Sequence, residues 1–280
     1  MAVLVPESLE EACAALARLP GATLLAGGTD LMVGINAGRH RPEHVIAVGR
    51  LAELRAWRRD GDHLVLGAGV TYRHLLEPPL AELVPVLAQA ARSVGSPQIR
   101  NAGTLGGNLG TASPAGDGVA ALVALGGTVR LRSLDGERDV DLAAFVTAPR
   151  RTLRRDDELI VAVRVPVLDG PQEFLKVGTR NAMVIAVASA ALVVDPPARA
   201  VRLALGSVAP RPLRATPAEA LAAEVVDWSR RRAPEGAAEG FGRLAADEAS
   251  PIDDHRSSAA YRRHAVRVLA RRAFERAFPS

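Results

Sequence analysis

Two stretches of this chain place glycines beside hydroxyl and amide side chains at spacings that suit a ligand. The first is Thr23-Leu24-Leu25-Ala26-Gly27-Gly28-Thr29-Asp30-Leu31. A short apolar run, Ala22 to Ala26, meets two glycines and then a helix start. Glycine has no Cβ, so the backbone can approach a ligand closely there. Unbonded N–H groups at a helix start, together with the helix dipole, favour an anion such as pyrophosphate. Thr29 can cap the helix or donate to a phosphate. Asp30 would repel a phosphate directly, so its carboxylate is expected to bond nearby N–H groups. The second stretch runs from Gln98 to Asp117, with Gly103-Thr104-Leu105-Gly106-Gly107-Asn108 at its heart. It reads as a glycine loop set between the apolar segments Leu83 to Val94 and Val119 to Leu125. Such a loop carries part-buried N–H groups that need partners, and a bound anion is one source of them. Asp117 can bond a sugar hydroxyl or cap a helix starting at Gly118. Each stretch alone is as compatible with a structural turn as with a ligand. Together they suit one large phosphate-bearing ligand held between two subdomains.

Other chemistries lack their spacing. There is no G-x-G-x-x-G for a nicotinamide Rossmann site and no G-x-x-x-x-G-K-[ST]. H-E-x-x-H and G-x-S-x-G are also absent. The six histidines are scattered, and Pro42 separates His40 from His44. The one cysteine, Cys13, rules out an internal disulfide and cannot hold an iron–sulfur cluster or structural zinc by itself. It is expected to pack as a small hydrophobe. No acid–base pair stands out, which suits a chain that carries a cofactor's chemistry.

The elements around these stretches argue for an α+β protein. Residues 1–50 read as a β-α-β-α-β unit: strands at 2–5, Ala22 to Ala26 and His44 to Val48, and a helix from Glu7 to Leu19 that Ser8 caps. From Leu51 the pattern changes. Strands are expected at Leu64 to Val70, Thr128 to Arg132 and Glu158 to Val165, with helices at Leu83 to Val94 and around Val119 to Ala124. From Gly170 come strands at Glu173 to Val177, Ile185 to Val194 and Val201 to Val208. Helices follow at Pro217 to Glu224, Phe241 to Ala249 and Ser258 to Phe278. In the last helix Tyr261, Ala265, Val268, Leu269 and Ala273 form an apolar stripe, with Arg262, Arg263, Arg267 and Arg271 assigned to a solvated face. The expected divisions are therefore 1–50, 51–169 and 170–280.

Composition narrows the partners. The 280 residues are 48% hydrophobic and 24% charged, with a net charge of +4, a balance typical of globular chains. Aromatics make up 3%, leaving little to stack nucleobases, so no nucleic-acid partner is expected. No stretch approaches the roughly 20 apolar residues that span a bilayer. The N-terminus has no basic n-region, and a cytoplasmic location is expected.

The two stretches, read together, resemble the FAD-binding motifs of the flavin subunit of molybdenum hydroxylases, the xanthine dehydrogenase and aerobic carbon monoxide dehydrogenase family. The motif residues are Leu24 to Leu31 and Pro97 to Leu109. Phe174 to Met183 resembles the strand and turn that follow the flavin domain. Ala209 to Ala215 and Asp254 to Arg262 are similar to the C-terminal domain. The resemblance implies a vanillyl-alcohol-oxidase-type (PCMH-type) FAD fold of two subdomains, then a C-terminal domain with a three-stranded sheet and helices. It implies that Thr23, Leu24, Leu25, Ala26, Gly27, Gly28, Thr29 and Asp30 wrap the FAD pyrophosphate from one side. Gly103, Thr104, Leu105, Gly106 and Gly107 would do so from the other, with Asn108 nearby. Asp117 would bond the cofactor, Leu159 and Lys176 would line the isoalloxazine, and Val94 stands where some members carry an aromatic. Relatives work with a small subunit carrying two [2Fe-2S] clusters and a large one carrying molybdopterin. The implied role is an oxidoreductase subunit that passes electrons through FAD to a small-molecule acceptor. A stand-alone flavin oxidoreductase and a non-redox flavin-binding assembly protein remain as alternatives.

Overall fold

The computed structural model describes residues 1–279. The chain opens with β1 (Ala2–Leu4), α1 (Leu9–Arg18), β2 (Thr23–Leu25), α2 (Leu31–Asn36) and β3 (His44–Ala47). The Ser8 hydroxyl accepts from the Glu11 amide at 3.1 Å and so caps α1. The three strands form a parallel sheet in the order β1-β3-β2. This sheet ends the chain's β2 strand directly at Gly27-Gly28.

Next come α3 (Ala52–Arg55), β4 (Trp57–Asp60), β5 (His63–Gly67), α4 (Leu80–Leu83), α5 (Pro85–Ser93), α6 (Pro97–Ala102), α7 (Leu105–Thr111) and α8 (Asp117–Leu125). They are followed by β6 (Thr128–Ser133), β7 (Gly136–Asp141), α9 (Leu142–Phe145), β8 (Val146–Ala148), β9 (Arg151–Thr152) and β10 (Leu159–Pro166). An antiparallel sheet runs β4-β5-β10-β6-β7. Its two edge strands escape the sequence pattern because edges are blunted with charge. All four residues of β4 are exposed, and β7 reads Gly-Glu-Arg-Asp-Val-Asp.

The largest departure from expectation lies in the second glycine stretch. It is mostly helix. The Ser96 hydroxyl caps α6 and the Thr104 hydroxyl caps α7, each by accepting an amide three residues on. Two good caps and backbone packing outweigh the entropic cost of glycines inside α7. After α7, Ala112 takes a left-handed conformation and ends the helix. Every residue of α8 is buried, so the helix shows no polar face.

The C-terminal region contains β11 (Gln172–Val177), β12 (Ala188–Asp195), β13 (Ala200–Gly206), β14 (Leu213–Arg214), α10 (Thr216–Val225), α11 (Ala237–Asp247) and α12 (Ala259–Ala277). Its antiparallel sheet runs β11-β12-β13-β14. It has a fourth strand beyond the three expected, only two residues long and too short to leave a pattern. The sheet is covered on both faces. Ala188, Ala190, Leu192, Leu203 and Leu205 face α10 to α12. The alternating residues Ala191, Val193 and Ala204 join the core of the preceding region, as period-two side chains require.

The stripe expected on α12 is buried at Ala265, Leu269 and Ala273 and differs at its start. Tyr261 is 49% exposed, whereas Arg262 is 1% exposed. The buried set is Arg262, Ala265, Val266, Leu269, Ala270, Ala273, Phe274 and Ala277. An arginine enters a core at low cost when most of its donors are matched; the Arg262 guanidinium donates to the Val187 and Ser207 carbonyls and to Asp254, and its Nε is left without a partner.

Candidate functional site

The structure brings the two glycine stretches into backbone contact. A Cβ added at Gly27 would stand 1.7 Å from the Ala102 carbonyl oxygen, at the end of α6. Only glycine permits that approach. Gly28 sits at φ +72°, a conformation that favours glycine. The segment from Thr23 to Thr29 is half-buried. Among the described residues, the amides of Gly27, Gly28, Thr29 and Asp30 have no protein acceptor. Half-buried N–H groups without acceptors are the donors an anion needs. Asp30 differs from expectation. It occupies the N-cap position of α2, yet its side chain bonds no helix amide. It is exposed and left to water. Thr23 Oγ1 lies 3.4 Å from His40 Nε2.

The second stretch, where an anion cradle is expected, leaves the Thr104 amide without a protein acceptor and pairs the three that follow. Leu105 N donates to Val70 O at 3.0 Å, Gly106 N to Ala68 O at 2.7 Å, and Gly107 N to Thr104 Oγ1 at 3.0 Å. These three amides have protein partners. Gly106 is required by packing, since a Cβ there would meet the Ala68 Cβ at 2.6 Å. The stretch also leaves a side chain unpaired. Asn108 Oδ1 is buried with no partner. Gly118 makes room for it, because a Cβ there would stand 2.8 Å from that oxygen. Leu105 and Leu159 are sealed in the core, Leu159 at 2% exposure. As placed, Leu159 offers a ligand no side-chain surface, because β10 is a central strand with that side chain turned inward.

Asp117 and Lys176 come together. Lys176 Nζ donates to Asp117 Oδ2 at 2.5 Å and to Ser93 O at 3.2 Å. Ser93 Oγ lies 3.0 Å from the same carboxylate oxygen. Asp117 is the first residue of α8, after a Gly116 cap, and Lys176 is on β11. Both side chains are buried. Burial pushes the Asp117 carboxyl above the ordinary carboxylate range, against the opposing pull of Lys176 and Ser93. Its second oxygen, Oδ1, has no partner. Tyr72 is buried close by, and its hydroxyl is pushed up by burial and by the Asp117 charge. Val94 follows Ser93 at the end of α5 and is half-buried against the core. Ser93 and Tyr72 carry no spacing signal in the sequence, and only the packing of α5 and α7 against α8 reveals them.

The first stretch therefore holds open amides suited to anionic oxygens, and Asn108 Oδ1 and Asp117 Oδ1 are buried acceptors without protein partners. No group of His, Cys, Asp and Glu among the described residues is placed to hold a metal. Cys13 is buried, its thiol pushed up by burial.

Residues 1–168 match the FAD binding domain in molybdopterin dehydrogenase, and residues 173–277 match the CO dehydrogenase flavoprotein C-terminal domain. The chain is 32% identical to the glyceraldehyde dehydrogenase medium chain of Sulfolobus acidocaldarius, over 96% of this chain and 95% of that one. It is 31% identical to the nicotine 6-hydroxylase medium subunit of Paenarthrobacter nicotinovorans, over 95% and 93%. In three dimensions it is similar to a chain of carbon monoxide dehydrogenase from Hydrogenophaga pseudoflava, with TM-score 0.91 and 31% identity over 98% of this chain and 96% of that one.

Proposed function

Since this chain belongs to the family of FAD-binding subunits of molybdenum hydroxylases, we propose that it carries electrons out of a multi-subunit complex. In this reading it binds FAD, receives electrons from iron–sulfur clusters on a small partner subunit, and gives them to an external acceptor. A large partner subunit with molybdopterin performs the substrate chemistry. The observation that carries the reading is the set of unbonded amides at Gly27, Gly28, Thr29 and Asp30, packed against the end of α6. They are the donors a pyrophosphate would use.

Other residues take roles that follow from what they leave unpaired. Asn108 Oδ1 and Asp117 Oδ1 would accept from cofactor N–H or O–H groups. Thr104 would hold the start of α7 in register for that contact through its cap. Lys176 would place a buried positive charge beside the cofactor. Thr23 to Ala26 would present backbone, and Val94 an apolar surface. When bound, FAD supplies the redox chemistry, and the protein supplies binding, orientation and electrostatics.

The test is an absorption spectrum of the purified chain before and after addition of FAD. Flavin bands at one equivalent, with a rise in thermal stability as FAD is added, are the expected result. A chain that takes up no flavin would overturn the reading. Co-purification from the native source with two companion chains, one bearing iron–sulfur absorption, tests the partners.

A further inference from the structure

Tyr72 is wedged between the second glycine stretch and the start of α8. It is 4% exposed. Its amide donates to Gly103 O at 3.1 Å, and the neighbouring Thr71 forms a bridge with Thr104. Its ring fills the space between two glycines. A Cβ at Gly103 would stand 3.1 Å from ring atom Cδ2, and one at Gly118 would stand 3.3 Å from Cε1, on the opposite edge. Gly103 follows Ala102, whose carbonyl lies against Gly27 beside the open amides. Gly118 follows Asp117 at the start of α8.

The hydroxyl meets a specific neighbour. A Cβ at Gly118 would stand 3.1 Å from the Tyr72 hydroxyl oxygen and 2.8 Å from Asn108 Oδ1. The two oxygens border one gap, and glycine is what leaves it open. Asn108 Oδ1 is buried there with no partner. Across the amide, a Cβ at Gly116 would stand 3.0 Å from Asn108 Nδ2, so the amide is confined on both sides with its oxygen toward the gap. Burial and the Asp117 charge push the Tyr72 hydroxyl up, so it keeps its proton and is a donor. A donor and an orphaned acceptor thus face the same gap. An amide oxygen has two lone pairs and can accept twice.

We propose that Tyr72 is a positioning residue for the flavin, acting through Asn108: its O–H donates to Asn108 Oδ1 as the ligand settles and fixes the amide, leaving the second lone pair for a cofactor donor. Contacts of this kind are commonly long in a ligand-free protein and tighten on binding. This role rests on the reading of the chain as an FAD-binding subunit.

Titration of the full apo chain with FAD, read by flavin fluorescence, tests the role, with a thermal melt of each apo variant alongside. Tyr72→Phe keeps the ring between its two glycines and removes only the hydroxyl. It should weaken FAD about tenfold, the effect of one buried hydrogen bond. Asn108→Ala should weaken FAD at least as much, and α7 tolerates it because alanine is a good helix former. The decisive variant carries both substitutions. Adding Tyr72→Phe to Asn108→Ala should cost less than about twofold more, because residues that act through one contact are not additive. A hydroxyl that only braces the fold, or that meets the cofactor directly, would weaken FAD equally in both backgrounds, and that result would overturn the role. Unchanged affinity in Tyr72→Phe would overturn it too. A parent chain that binds no FAD would overturn the flavin reading and this role with it, whereas additive losses in a chain that binds FAD overturn this role alone.

Discussion

At the scale of single residues, two positions of the glycine stretches act in different ways. Gly27 is a contact glycine: its missing Cβ lets the first stretch rest on the Ala102 carbonyl. Gly27→Ala must push the stretches apart, since a 1.7 Å approach to a backbone oxygen cannot be absorbed by a rotamer change. Affinity for FAD should fall by at least about tenfold, roughly 1.4 kcal/mol, and flavin content after gel filtration reads it. Undiminished stoichiometric flavin would contradict the placement of the ligand at this contact. Thr104 acts through its cap. Its hydroxyl takes up the Gly107 amide, and α7 contains three glycines that lend the helix no propensity. Thr104→Ala should lower stability by about 1 kcal/mol, read as a shift in the urea midpoint at constant slope. A Thr104→Ser variant should recover most of the loss, because serine caps equally well.

At the scale of elements, α8 and β11 are tied by the Asp117–Lys176 pair. Lys176→Met leaves a buried carboxyl with no counter-charge and only the Ser93 hydroxyl as partner, and breaking such an ion pair costs about 3 kcal/mol. The pH dependence has a definite sign. Without Lys176, burial acts on Asp117 against the Ser93 hydrogen bond alone and raises its folded pKa further above the unfolded value. A raised folded pKa gives stability that is present below the ordinary aspartate range and is lost as pH rises through the folded value. The deficit of Lys176→Met relative to the parent should therefore be larger at about pH 8 than at about pH 5 in chemical denaturation. Equal deficits would mean that the pair is not what holds the charge. The elements also show which parts of the fold the sequence can state. The β-α-β-α-β start and the central apolar strands carry period and caps, and they are legible. The edge strands β4 and β7 are charged and so look like loop. The α6–α7 region is glycine-rich and so looks like loop, although Ser96 and Thr104 are cap residues in plain view. The burial of Arg262 depends on the carbonyls of Val187, just before β12, and of Ser207, just after β13, far away in sequence. Helical periodicity cannot see such partners, so it places Arg262 on the solvated face while finding the buried Ala265, Leu269 and Ala273. At the site, the chain positions of both glycine stretches were readable. Which of their amides stay open was not, because Val70 and Ala68 supply acceptors from another segment.

At the scale of the whole molecule, one helix decides how the regions cohere. All of α8 is buried, and a helix apolar on every side must be surrounded. Part of its cover comes from the FAD-matching region, including Tyr72, Leu105 and Leu109 in the same core. The rest comes from the C-terminal sheet, whose Phe174, Ala191, Val193 and Ala204 belong to that core as well. The same sheet face brings Lys176 to Asp117 and Gln172 to α5, where its Oε1 accepts the Val86 amide at 3.2 Å. The domain boundary at residues 168–173 is therefore not a boundary between independent cores. A fragment of residues 1–168 would expose apolar faces of α5 and α8 and leave Asp117 without Lys176. It should lack a cooperative thermal transition, bind a hydrophobic dye and lose near-ultraviolet circular dichroism, the marks of a chain with secondary structure but no fixed packing. It should also fail to retain flavin, although it contains both glycine stretches. A fragment that melts cooperatively and holds FAD would show that α8 can be covered without the C-terminal sheet. If the fragment melts cooperatively but holds no FAD, Lys176 and the sheet act on the ligand site alone. Loss of both together is the outcome the shared core requires.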